Sequence, residues 1–265
     1  MKLNILGTRG SVPVSGKEFT DFGGGTSSLL VTTDEDPSVE IYLDAGSGIQ
    51  SASPHPGSRI TILFSHMHLD HLIGLPFFSA LSDKGRHIDL KAVPRDGLAL
   101  DEALERLFSP PYWPCRIVDY PADVHISQLE EHMDIGPVRI DTLEVTHPGG
   151  STAFRLTQAG HSFVYATDYE HGDSCFDALT DFARDTDLLI YDGQYTSEEY
   201  AARKGFGHSI PEIGLTLAEK ARVRKLLFTH FDPGHDDTYL SRWEEDIQKK
   251  CPAAAFARAG QILDL

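Results

Sequence analysis

The chain has 265 residues and a formal net charge of −17, a length for one large domain or two small ones. Its apolar fraction of 40% and charged fraction of 24% are those of a soluble globular protein. So acidic a surface disfavours long polyanions unless metals or a local patch compensate, and Lys and Arg form no cluster of the kind that lines a nucleic-acid groove.

The N-terminal stretch MKLNILGTRGS lacks the apolar core of a signal peptide, and no run approaches transmembrane length. Cys115, Cys175 and Cys251 show no paired spacing, so reduced structural thiols in a cytoplasmic protein are expected. Lys2 to Leu6 reads as a first strand, broken by Gly7-Thr8-Arg9-Gly10-Ser11-Val12-Pro13. A second glycine cluster, Gly23-Gly24-Gly25-Thr26, precedes the apolar run Ser28 to Thr32. These glycines suit a loop beside an anion and equally an ordinary tight turn; neither cluster carries the GKS or GKT ending of a phosphate-binding P-loop. Glu40 to Leu43 is a strand ending in Asp44-Ala45-Gly46-Ser47-Gly48.

Ile60 to Phe64 is a short apolar run, the pattern of a buried strand, and it leads straight into Ser65-His66-Met67-His68-Leu69-Asp70-His71. His66 and His68 are two apart, so an extended backbone puts them on one side. Asp70 and His71 are adjacent and point apart, which lets them serve a second ion. Imidazole and carboxylate suit zinc, manganese or iron.

Leu75 to Leu81 reads as an apolar helix or turn under this loop, Ile88 to Val93 as a strand and Leu98 to Phe108 as an amphipathic helix. Residues 108–114 follow, three prolines with Tyr112 and Trp113 among them; the stretch is irregular and is read as a lid, with a plug of the core as the alternative. Val138 to Val145 alternates and ends in Thr146-His147. Three apolar strands then end in polar residues: Phe163 to Ala166 in Thr167-Asp168, Leu188 to Tyr191 in Asp192-Gly193, and Leu226 to Phe228 in Thr229-His230. Helices are expected over 173–183, 209–221 and 237–249. Polar residues at strand ends are how α/β folds build a site along one edge, and one domain over 1–265, two β-sheets between helices, accounts for the length.

The run His66-x-His68-x-Asp70-His71 resembles the HxHxDH signature of the metallo-β-lactamase fold, a superfamily of mostly dinuclear hydrolases. The resemblance extends over GTRGSVPVSG, LDAGSG, PPYWP and THFDPGHDD, nearly the whole chain. It implies an αββα sandwich of two mixed β-sheets flanked by helices, and two divalent metal ions, zinc first. Metal 1 would take His66, His68 and His147. Metal 2 would take Asp70, His71 and His230, and Asp168 would bridge them. Asp44 would support the metal loop as a neighbour of a ligand, or else only cap its own turn. His208, in Gly205-Phe206-Gly207-His208-Ser209, resembles the histidine of the GHS motif in the ribonuclease Z and PhnP-like branch, which assists the leaving group; the alternative is a cap on the helix that follows. Asp70 and His208 are the two positions expected to act in the chemistry itself.

The group resembled is the one related to ribonuclease Z and to class II cyclic-nucleotide phosphodiesterases. The chain lacks the glycine-proline-rich arm by which ribonuclease Z holds tRNA, and Pro76 and Phe77 stand where the cyclic-nucleotide pattern prefers small aliphatics. His208, the absence of that arm and the acidic surface together favour a phosphodiesterase cleaving a small or cyclic phosphodiester with a metal-bridging hydroxide. The alternatives are a ribonuclease Z-like endoribonuclease, an ester, lactone or thioester hydrolase, and a metal-bound sensor without turnover. No membrane partner is expected, nucleic acid is disfavoured, and a homodimer stays open.

Overall fold

Apolar runs without alternation become the central strands, because both of their faces are covered. The computed structural model describes residues 1–265, the side chains of residues 173 and 174 excepted. The first sheet holds β1 (Lys2–Gly7), β2 (Ser28–Thr32), β3 (Val39–Leu43), β4 (Arg59–Leu63), β5 (His87–Ala92), β6 (Asp123–Gln128) and β14 (Ile262–Asp264), in the order β14-β1-β2-β3-β4-β5-β6. The second holds β7 (His132–Ile135), β8 (Val138–Val145), β9 (Ser151–Gln158), β10 (His161–Ala166), β11 (Leu188–Asp192), β12 (Lys225–Thr229) and β13 (Ala254–Phe256), in the order β13-β12-β11-β10-β9-β8-β7. Both sheets are mixed. β3 to β6 run parallel in the first and β10 to β13 in the second, with antiparallel pairs completing each.

β4 shows the logic. Ile60 and Ile62 pack on the outer face of the first sheet, and Leu63 packs between the sheets against residues such as Ile140, Phe154 and Phe163. Each such side chain contributes about 1.5–3 kcal/mol by leaving water. The α-helices among the described residues are α1 (Leu69–Leu72), α2 (Leu100–Leu107), α3 (Asp173–Phe182), α4 (Ser197–Arg203), α5 (Pro211–Ala221) and α6 (Asp237–Lys250). α2 buries Leu100, Ala103 and Leu104 against the first sheet, and Leu179, Leu217, Leu240 and Ile247 of α3, α5 and α6 cover the outer face of the second.

The expected strands are present to within a residue or two. Leu75 to Leu81 takes the turn alternative, as two short 3-10 turns, Leu75–Phe77 and Ser79–Ser82. Two differences have physical causes. α5 begins at Pro211, not at Ser209, with proline in the first turn where its missing N–H costs nothing. The stretch 108–114 is not a lid: Phe108 is buried, Trp113 packs edge-on to Phe77 and Phe108 and donates to the Tyr120 hydroxyl at 3.1 Å, and none of these residues lines the cavity beside the metal loop. Among the described residues, no helix is long and apolar enough to cross a membrane.

Candidate metal centre

The polar residues at the strand ends meet at one edge of the sandwich. Asp44 follows β3, Ser65 and His66 lie just beyond β4, His147 lies just beyond β8, Asp168 follows β10 after one residue, Asp192 ends β11 and His230 follows β12. Three of them leave the strand in the left-handed region, Asp44 at φ 61°, Asp168 at 53° and His230 at 64°. That conformation costs about 1–2 kcal/mol per residue for an L side chain and is the kind of strain found where a site over-determines its backbone.

The seven candidate ligands fall into two groups whose ligating atoms lie within 4.8 Å of one another: His66, His68 and His147, and Asp70, His71, Asp168 and His230. Asp168 faces both. Its Oδ1 is 3.9 Å from the Nε2 atoms of His66 and His147, and its Oδ2 is 3.1 Å from His71 Nε2 and 3.2 Å from His230 Nε2. Asp70 Oδ2 lies 3.5 Å from His71 Nε2 and 3.3 Å from His230 Nε2. His68 is the exposed member, its Nδ1 3.1 Å from His147 Nε2.

Four of the histidines have their outward nitrogen already engaged. The Nδ1 of His71 donates to Asp44 Oδ2 at 2.9 Å, that of His147 to the Gly207 carbonyl at 2.8 Å and that of His230 to Gln194 Oε1 at 2.9 Å. His66 Nδ1 reaches Ser65 Oγ at 3.1 Å, whose own hydroxyl donates to Asp44. With Nδ1 carrying the proton, each ring presents a lone pair at Nε2, the tautomer that binds a metal. The Nε2 atoms of His66, His71 and His230 are buried and have no hydrogen-bond partner among the described residues. Three unpartnered imine nitrogens beside two carboxylates fit divalent ions, with no sulfur among the donors.

The electrostatics show the same demand for positive charge. Burial, with the neighbouring His71, holds His66 well below the ordinary imidazole value. Burial also opposes protonation of His71 and His230, yet Asp168 and the neighbouring carboxylates outweigh it, raising His71 well above its usual value and His230 to about 9. Burial pushes Asp70 and Asp168 the other way, and the facing histidines hold both below the usual carboxylate range. The carboxylates at this spot favour positive charge, which divalent ions held by the bare Nε2 atoms would supply.

His208 is buried beside this group. Its Nδ1 donates to Asp192 Oδ2 at 2.9 Å and lies 3.8 Å from Asp168 Oδ1, while its ring stacks on His230 with centroids 4.9 Å apart. It does not cap α5, whose N-cap is Ile210 with no side-chain bond. Glu170 holds the glycine-rich loop by accepting from the N–H groups of Gly205 at 2.6 Å and Gly207 at 2.8 Å. Gly207 sits at φ 93°, and a Cβ there would fall 2.1 Å from His147 Nδ1, so only glycine lets this loop close over the ligand.

Asp44 makes the contacts expected of a residue that supports a ligand, accepting from the Ser65 N–H at 2.8 Å and the Tyr165 hydroxyl at 3.1 Å besides His71. Sequence reasoning assigned no role to Asp192, Gln194, Glu170 or Ser11. Asp192 accepts from four donors, His208 Nδ1 and the N–H groups of Asp168, Gln194 and Ser209. The Ser11 N–H donates to Asp70 Oδ2 at 2.8 Å. A carboxylate at the end of β11, in the same strand-end pattern as Asp168, was the available signal for Asp192. Gln194 and Ser11 had none, because loop contacts between distant segments leave no period in a sequence.

A family model described as "Beta-lactamase superfamily domain" matches residues 40–231. Ribonuclease BN of Escherichia coli (strain K12) is 24% identical over 311 residues, covering 97% of each chain. Zn(2+)-bound PqqB from Methylobacterium extorquens superposes with a TM-score of 0.73 at 17% identity, covering 100% of both chains. A diphosphatase from the PhnP family superposes with a TM-score of 0.72 at 19% identity, over 100% of this chain and 97% of that one. At such identities the structural likeness shows the shared fold.

Proposed function

The chain belongs to the beta-lactamase superfamily, and from that premise we propose that it is a dinuclear metal-dependent phosphodiesterase acting on a small or cyclic phosphodiester. His66, His68 and His147 would hold one ion, Asp70, His71 and His230 the other, with Asp168 between them. Two such ions, zinc first, supply a nucleophile from water near neutral pH and neutralise charge on the phosphoryl oxygens.

The observation that carries the phosphodiester reading is His208. It touches no helix N-terminus, lies 3.8 Å from Asp168, and is held through Nδ1 by the Asp192 carboxylate. A carboxylate at Nδ1 fixes the orientation of the ring, and an imidazole so held can serve as the acid that gives a proton to a departing alkoxide. An ester or lactone hydrolase has less need of such a donor, since a carbonyl reaction first builds up charge on the carbonyl oxygen.

A second reading, an endoribonuclease, is favoured by the likeness to ribonuclease BN along 97% of the chain; the net charge of −17 opposes it, since a long polyanion meets repulsion over most of the surface. The test is turnover by zinc- and manganese-loaded protein of bis-p-nitrophenyl phosphate, cyclic nucleotides, a lactone, a thioester and a precursor tRNA. The expected result is hydrolysis of the first two alone. Faster cleavage of the precursor tRNA, or of the lactone, would overturn the assignment.

A further inference from the structure

Beside His66 and His68 a cavity of about 450 Å³ opens next to the candidate metal centre. One wall is apolar, made by Met67, Leu98, Ala103 and Leu107. Three charged side chains also line it, Arg95, Asp96 and Arg106. Arg95 has its charge paired: one terminal nitrogen meets Glu144 and the other donates to Thr152 Oγ1 at 2.7 Å. Arg106, in the last turn of α2, and Asp96 form no ion pair or side-chain hydrogen bond among the described residues, with each other or with anything else.

Asp96 is nevertheless firmly placed. The backbone N–H of Arg95 donates to the Leu98 carbonyl at 2.9 Å and that of Leu98 donates back to Arg95 at 2.8 Å. Asp96 and Gly97 between them have φ of 50° and 73°, the pattern of a tight two-residue type I′ turn, in which Asp-Gly is a favoured pair. The cavity therefore offers an acceptor on a rigid turn, a donor on a helix, and an apolar wall. Its lining charges do not sum to an anion site, because Asp96 would repel a second phosphate or carboxylate.

We infer that this cavity receives a nucleobase carrying N–H donors and a carbonyl acceptor on one face of its edge, guanine being the base that combines them, with Asp96 accepting from the ring and amino N–H groups and Arg106 donating to the carbonyl side. The inference rests on the phosphodiesterase reading and deepens it: the substrate is a guanine-bearing phosphodiester, its phosphate at the ions and its base against Met67 and Leu98. A guanidinium donates to the guanine carbonyl side and a carboxylate accepts from a base amino group elsewhere, the ring N–H beside that amino group gives the carboxylate a second donor, and a flexible thioether suits a planar face.

The test is calorimetric binding of 5′-GMP, 5′-AMP, guanosine and ribose 5-phosphate to zinc-loaded protein, repeated with Asp96→Asn and Arg106→Ala. Both side chains are exposed, so neither variant threatens folding. The expected result is 5′-GMP tighter than 5′-AMP by roughly ten-fold, a margin of the size that paired contacts to a base edge supply, with the preference lost in Asp96→Asn and reduced in Arg106→Ala. Equal binding of 5′-GMP and 5′-AMP, or of 5′-GMP and ribose 5-phosphate, would overturn the inference, as would a guanine preference that survives Asp96→Asn. Guanosine binding needs no phosphate, and turnover of bis-p-nitrophenyl phosphate needs no base; the first reports on the cavity and the second on the phosphodiesterase reading, so the two can fail separately.

Discussion

Asp192→Asn is the substitution that most directly probes the proposed proton donor. The carboxylate accepts from four donors, Asp168 N–H at 3.1 Å and His208 Nδ1 at 2.9 Å on Oδ2, and the N–H groups of Gln194 and Ser209, both at 3.1 Å, on Oδ1. Asparagine keeps the shape but has one acceptor oxygen and an NH₂ group, so in either orientation two donors face a third. Losing two hydrogen bonds to a charged acceptor at about 1.5 kcal/mol each gives about 3 kcal/mol, a fall in Tm of roughly 6–10 °C for a chain of this size.

The effect on turnover is separate and selective. Without the carboxylate the His208 ring loses the acceptor that orients it for proton transfer. A positioned acid contributes about 10²–10⁴-fold, and a loss of about 10²-fold is expected for a cyclic nucleotide, whose leaving group is an alkoxide. For a diester that expels p-nitrophenolate the loss should be small, since that group leaves without a proton. The assay is kcat on the two substrates, with zinc content and Tm measured on the same preparations. An equal loss on both substrates with zinc retained would refute the proton-donor argument. Loss of zinc in step with activity would show instead that Asp192 acts through its bond to the Asp168 backbone.

Asp168→Ala removes the side chain whose two oxygens face the two histidine groups; it should lower zinc content and abolish most turnover, and full zinc with unchanged rate, by elemental analysis and kinetics, would contradict the bridge. Gly207→Ala forces a Cβ to within 2.1 Å of His147 Nδ1 at a φ of 93°; a loss of about 1–2 kcal/mol from the backbone alone and weakened zinc binding through His147 should both appear, by calorimetry and zinc titration.

What the sequence revealed and what it hid follow from the range of the interactions. β4 and β8 are legible because strand burial is a local pattern, and the metal loop because four metal-capable side chains lie within six residues. α4 was overlooked although Thr196 and Glu199 form a capping box, each side chain serving the other's backbone N–H; seven residues on the surface give too short an apolar period to stand out. β13 and β14, three residues each, exist only because a neighbouring strand pairs with them. Composition cannot say which way a ring points: Trp113 turns toward Phe77 while Tyr112 stays exposed.

The same distinction explains why the support of the ligands was harder to see than the ligands. Asp44, Ser65, Gln194 and the Gly207 carbonyl each hold one Nδ1, and they come from four segments spread along the chain. Their common task is to fix a proton on the outer nitrogen so that the inner one is free. No single-residue property marks them: one is a carboxylate, one a hydroxyl, one an amide and one a backbone carbonyl. What unites them is geometry, a hydrogen bond of 2.8–3.1 Å to an imidazole whose other nitrogen faces the same centre. Because acceptors of such different chemistry can hold the same tautomer, their identities can vary while the centre keeps its form, and the ligands themselves are the part a sequence can display.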